Sequence, residues 1–108
     1  MLSFLRIHGK QKPPRSLPLR SGFRVAPGVK ASQHSEGLVL INLSRGTVFS
    51  ANRAGAIIWN AAVDRWPLER IAESISSEFH VPAGAARDDA ADFIAQLAAE
   101  GLLVPDAN

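Results

Sequence analysis

The stretch Asn42–Trp59, NLSRGTVFSANRAGAIIW, decides the fold. Its first residues end an apolar run, Arg45-Gly46 supplies a turn, and TVFS is extended and uncharged. Asn52 then has the side chain of a helix N-cap, and the alanine-rich segment after it reads as a helix. A strand, a tight turn, a second strand and a helix thus follow within eighteen residues. If TVFS lies at the edge of a sheet, its outward N–H and C=O groups need a partner. Natural edges are usually guarded by lysine or proline, and residues 46–51 contain neither.

Upstream, EGLVLINL (36–43) has apolar residues on both faces, which predicts a central strand or one with a covered face. VKASQHS (29–35) predicts a weaker first strand. The short connections favour an antiparallel meander. Alternation places Thr47, Phe49 and Ala51 on one face of the third strand, with Phe49 in the core. Val48 and Ser50 fall on the other, with Val48 at the groove.

Downstream, Ala54, Ile58 and Ala61 or Ala62 make an apolar stripe beside Trp59. Pro67 suits the first turn of a second helix, in which Leu68, Ile71, Ala72, Ile75 and Phe79 recur at helical spacing. HVPAGA interrupts it. A last helix is predicted from about Ala85 to Glu100, with Ala86, Ala90, Phe93, Ile94 and Leu97 inward. Asp88, Asp89 and Asp92 sit in its first half, where the helix dipole favours them. Gly101 ends it and LLV packs back. The fold class is α+β and winged-helix-like: a three-stranded antiparallel sheet followed by a three-helix bundle, β-β-β-α-α-α. One domain over residues 29–105 is expected. Residues 1–28 form a basic, proline-rich N-terminal arm, extended or disordered, in which MLSFLRI either docks as a short turn or strand or is simply a solvated tail.

The formal charge of +2 conceals a split: residues 1–30 carry +7 and residues 31–108 carry −5. Such asymmetry marks an interaction arm on an acidic body. The chain has no cysteine, which excludes disulfides and thiolate chemistry and suits a reducing cytosol. No apolar run approaches the ~20 residues of a membrane span, so a soluble, cytoplasmic protein is expected.

No catalytic constellation stands out. His8, His34 and His80 are scattered, and neither a glycine-rich phosphate loop nor a triad order is present. Neighbouring aspartates at a helix start are more often dipole partners than metal ligands. No catalysis, metal or cofactor is therefore expected. The arm is basic enough for phosphates, but the last helix sets three aspartates against Arg87, which disfavours a groove-reading helix. What remains is the edge, to which an extended peptide adds as a strand. Alternatively the arm itself, or a second copy of the chain, covers it.

The segments VLINLSRGTVFSANRAGAIIWNAAV, PLERIAESISSEFHV and DDAADFIAQLAAEGLL resemble, in order and spacing, the family of coenzyme PQQ synthesis protein D. That family includes the recognition elements of ribosomally made, post-translationally modified peptides. Leu40, Gly46, Phe49, Asn52, Ile58, Trp59, Ile71, Asp89, Phe93, Leu97, Gly101, Leu102 and Leu103 carry the resemblance, over about residues 22–104. It implies a non-catalytic peptide chaperone that binds the leader of a precursor peptide by strand addition and delivers it to modifying enzymes. Mapped residue by residue, the leader would pair with Thr47, Val48, Phe49 and Ser50. It would lie against Arg87, Asp88, Ala91, Asp92 and Ala95, where the alanines leave room and the aspartates attract leader Lys or Arg.

The chain departs from the family pattern at Ala51 and Arg53 around the Asn, and at Asp64-Arg65, where Asp-Gly is usual. LINLSRGTVFSAN looks closer to the stand-alone leader-binding proteins of lasso peptide pathways. Such a pathway implies a cysteine-protease-type leader peptidase and an asparagine-synthetase-like cyclase as partners, whereas a PQQ pathway implies a radical SAM enzyme. No nucleic acid or membrane partner is expected, and the chain is a monomer or an arm-swapped dimer. The competing readings are a winged-helix DNA-binding protein, marked by steep salt dependence, and a self-associating adaptor, marked by concentration-dependent dimerisation.

Overall fold

The computed structural model describes residues 5–7 and 23–105; the readings made above for residues 1–4, 8–22 and 106–108 lie outside them. The described elements run β1 (Leu5–Ile7), β2 (Phe23–Val25), β3 (Val29–His34), β4 (Gly37–Asn42), β5 (Thr47–Asn52), α1 (Arg53–Val63), α2 (Leu68–Phe79), α3 (Ala83–Ala99) and β6 (Leu103–Pro105). The meander β3-β4-β5 is antiparallel throughout, and β4 is central, as its two-faced apolar run predicts. Leu38 and Leu40 point into the core while Val39 and Ile41 are half-buried on the other face. Three strands, β1, β2 and β6, come in addition to the predicted three. β1 joins β5 to give the order β1-β5-β4-β3, and β2 pairs with β6 in a small second sheet.

Local chemistry explains most boundaries. Gly46, at φ +69°, closes the β4–β5 turn and its N–H donates to the Asn42 carbonyl at 2.8 Å. Asn52 caps α1: its side-chain oxygen accepts from the Gly55 N–H at 2.9 Å. Leu68, Ile71, Ala72 and Ile75 form the buried face of α2. An ion pair between Arg53 and Glu78 ties the start of α1 to the end of α2. α3 begins at Ala83, two residues before the predicted start. Proline suits the position just before a first turn, so the break shrinks to His80–Pro82. No helix among the described residues is long and apolar enough to cross a membrane.

The helices and the inner face of the sheet enclose one cluster built on Leu40, Phe49, Ile58, Ile71, Phe93 and Leu97. Each such side chain contributes about 1.5–3 kcal/mol through burial. Phe23 also belongs to this cluster, and the Ala26 N–H donates to the Leu102 carbonyl at 3.1 Å. Residues 23–28, which the sequence groups with the arm, are thereby anchored to the fold. Three residues of alternation are too few to see in sequence, and the partner strand β6 lies at the far end of the chain.

Arg65 occupies the left-handed region at φ +66°, in the α1–α2 connection. The resemblance leads one to expect glycine at this position, and a Cβ there costs about 1–2 kcal/mol. Glycine returns part of that as unfolded-chain entropy, about 0.4–1 kcal/mol. Arg65→Gly is therefore expected to raise stability by up to about 1 kcal/mol, read as a Tm increase of roughly 4–8 °C.

Candidate functional site

The outer edge of β5 is the backbone feature to explain. A Cβ placed on Gly37 would stand 2.0 Å from the Ala51 carbonyl oxygen, so that carbonyl faces β4. Backbone groups alternate in direction along a strand, so Phe49 and Thr47 also bond towards β4. Val48 and Ser50 then turn their N–H and C=O groups outward. Of the four strand residues singled out by sequence, these two offer the edge, while Phe49 anchors it with 2% of its surface exposed.

β1 lies antiparallel on this edge, with Leu5 opposite Ala51, Arg6 opposite Ser50 and Ile7 opposite Phe49. The described register stops at Phe49, one residue short of Val48. Of the two occupants that sequence reading left open besides a foreign peptide, the arm is the one seen here.

The outer face of the sheet beside the edge carries an apolar strip. Ile41 pairs with Val48 and Val39 with Ser50 in the β4–β5 register. Val48 is 46% exposed and Leu43, in the adjoining turn, 63%. A peptide strand added here would run beside side chains that water already reaches, so its apolar residues would gain burial.

Two polar residues that sequence reading missed hold the turn at the end of this edge. Asn42 is 3% exposed, accepts from the Arg45 N–H at 3.2 Å and donates through Nδ2 to the Gly101 carbonyl at 3.4 Å. Arg45 lies over Gly101, where a Cβ would come within 3.0 Å of its guanidinium carbon. The start of β5 is thus fixed to the end of α3. An asparagine ending an apolar strand just before a turn was the available signal.

On α3, Asp88 and Asp92 are exposed and Ala95 is half-buried. Ala91 packs partly against the core cluster, to which Phe93, Ile94 and Leu97 of the same helix and Phe49 of β5 all belong. Arg87 is engaged by α2: its Nε donates to Glu69 Oε2 at 2.6 Å. That hydrogen bond, with the charge of Glu69, raises the guanidinium pKa above its ordinary value. Arg87 is therefore half of an ion pair, whereas Asp88 and Asp92 are exposed. Among the described residues no group of three or more His, Asp or Glu side chains is arranged to hold a metal ion.

The family model for coenzyme PQQ synthesis protein D matches residues 37–103, from the start of β4 to the start of β6. No curated protein matches the chain. Two solved structures are similar over 79% of this chain. One is TbiB1 in complex with the TbiA(beta) leader peptide, at 27% identity and a TM-score of 0.70 over 99% of that chain. The other is lasso peptide synthetase B1 complexed with the leader peptide, at 26% identity and a TM-score of 0.73 over 100% of that chain.

Proposed function

The chain belongs to the family of coenzyme PQQ synthesis protein D, and from that membership we propose that it binds the leader of a ribosomally made precursor peptide by strand addition to β5. It acts by binding, without catalysis, and delivers the precursor to the modifying enzymes of its pathway. The similarity to two leader-bound proteins, one of them a lasso peptide synthetase B1, favours a lasso-type pathway, with a leader peptidase and a cyclase as recipients. The observation that carries the reading is the β5 edge itself, which accepts an antiparallel strand opposite residues 49–51. Main-chain bonds to Val48 and Ser50 supply affinity, and the strip of Val39, Ile41 and Val48 selects apolar side chains. Asp88 and Asp92 on α3 attract basic leader residues.

The test is fluorescence anisotropy of the labelled leader peptide encoded beside the gene of this chain, with duplex DNA as competitor. Micromolar or tighter binding is expected, unaffected by DNA and persisting at moderate salt. The double variant Asp88→Asn, Asp92→Asn is expected to bind a leader carrying Lys or Arg about 2- to 10-fold more weakly at low salt, corresponding to exposed ion pairs of at most ~1 kcal/mol each. Unchanged affinity removes the aspartates from the site. Salt-sensitive binding to DNA without binding to the leader overturns the reading and assigns function to the basic arm.

A further inference from the structure

We infer that β1 is a tethered internal occupant of the leader edge, so that leader binding is an exchange of strands on β5. This rests on the leader reading above and adds its regulation. β1 bonds to the edge at residues 49–51, which includes the outward groups of Ser50. The outward N–H of a strand residue donates to one neighbouring strand, so β1 and a leader paired across Ser50 exclude each other. β1 belongs to the same chain as the edge, connected through residues 8–22 to Phe23, whose side chain is fixed in the core. Closure is therefore intramolecular, with an effective concentration on the order of millimolar.

The strand is short, and its length sets the balance. Three residues of pairing are weak on their own, so β1 leaves readily. A leader that pairs through Ser50 as part of a long, well-registered strand displaces it. A peptide that matches only three residues does not overcome the tether. β1 thus acts as a threshold that favours long, well-registered strands over any extended segment. It also explains how an edge without lysine or proline between residues 46 and 51 is guarded. The charge split supports closure: the segment containing β1 is basic and the remainder acidic, an attraction that salt screens.

Leu5 and Ala51 face each other as a non-hydrogen-bonded pair, the closer of the two antiparallel geometries. The chain has no other cysteine, so Leu5→Cys with Ala51→Cys tests the exchange in the full chain. Leader affinity is measured by anisotropy in the oxidised and reduced states of this variant, with thermal unfolding as the check on folding. The oxidised form is expected to bind the labelled leader at least tenfold more weakly than the reduced form, reversibly. A second full-length variant, Leu5→Gly with Ile7→Gly, weakens β1 and is expected to bind about 2- to 10-fold more tightly than the natural chain, the factor by which the competent population rises.

Equal affinity in the oxidised, reduced and glycine forms overturns the exchange and leaves the leader reading standing. A folded chain whose two cysteines do not cross-link overturns the exchange as well. Absence of leader binding in every form, the reduced and glycine variants included, overturns the leader reading and the exchange with it.

Discussion

Val48→Pro is expected to abolish peptide binding while leaving the fold intact. The Val48 N–H points away from β4, as the position of the Ala51 carbonyl against Gly37 establishes for its neighbours along the strand. Proline there removes no bond of the β4–β5 ladder, and proline is tolerated on an edge strand when its missing N–H would have faced outward. What it removes is one donor of the edge, and its ring obstructs the approach of an added strand. The side chain it replaces is already half in solvent, so little core is lost. A loss of one to two hydrogen bonds at about 1 kcal/mol each, with steric exclusion added, corresponds to at least a tenfold fall in leader affinity. The Tm is expected to stay within a few degrees of the natural chain. Phe49→Pro is the control for direction, since its N–H bonds to β4 and its side chain is in the core; it is expected to unfold the domain. Wild-type leader affinity for Val48→Pro would place peptide binding somewhere other than this edge.

Gly37→Ala is expected to be among the most destabilising single-methyl changes in the chain. Gly37 opens β4 opposite Asn52, at φ +153°, and an added Cβ would meet the Ala51 oxygen at 2.0 Å and backbone carbons at 3.0 Å. Those atoms are main chain, so relief requires the end of β5 and the cap of α1 to move together. Overpacking of this kind costs about 1–3 kcal/mol, and the positive φ adds roughly 1–2 kcal/mol. The loss is read from chemical denaturation as a lower midpoint with little change in slope. Gly46→Ala is the informative comparison. Its φ is +69° but a Cβ there meets nothing within 4 Å, so the strain term acts alone. A loss of about 1 kcal/mol is expected. Similar losses at the two positions would mean that the close approach at Gly37 relaxes freely.

The two glycines also show where sequence reading reaches and where it stops. The turn at Arg45-Gly46 is legible because turn chemistry is local, and the same holds for the Asn52 cap and the stripes of α1, α2 and α3. The special demand at Gly37 is not legible, because it comes from a carbonyl on a neighbouring strand. The candidate site divides in the same way. Phe49 as core and Val48 at the surface follow from alternation alone, whereas the direction of their backbone groups depends on the β4 register. The charge of Arg87 is in the sequence, but its engagement with Glu69 requires α2 and α3 to pack side by side.

The sequence by itself determined the order of three strands and three helices, the inward residues of each helix and the family to which the chain belongs. Periodicity, caps and turns are properties of short segments, so they survive without coordinates. Tertiary structure alone decided that Phe23 is core, that Asn42 and Arg45 tie the turn to α3, that the backbone groups of Val48 and Ser50 point away from β4, and that β1 occupies the edge. Each of these depends on a partner distant in the chain, and pairing between distant segments is set by the geometry of the assembled core rather than by any local pattern.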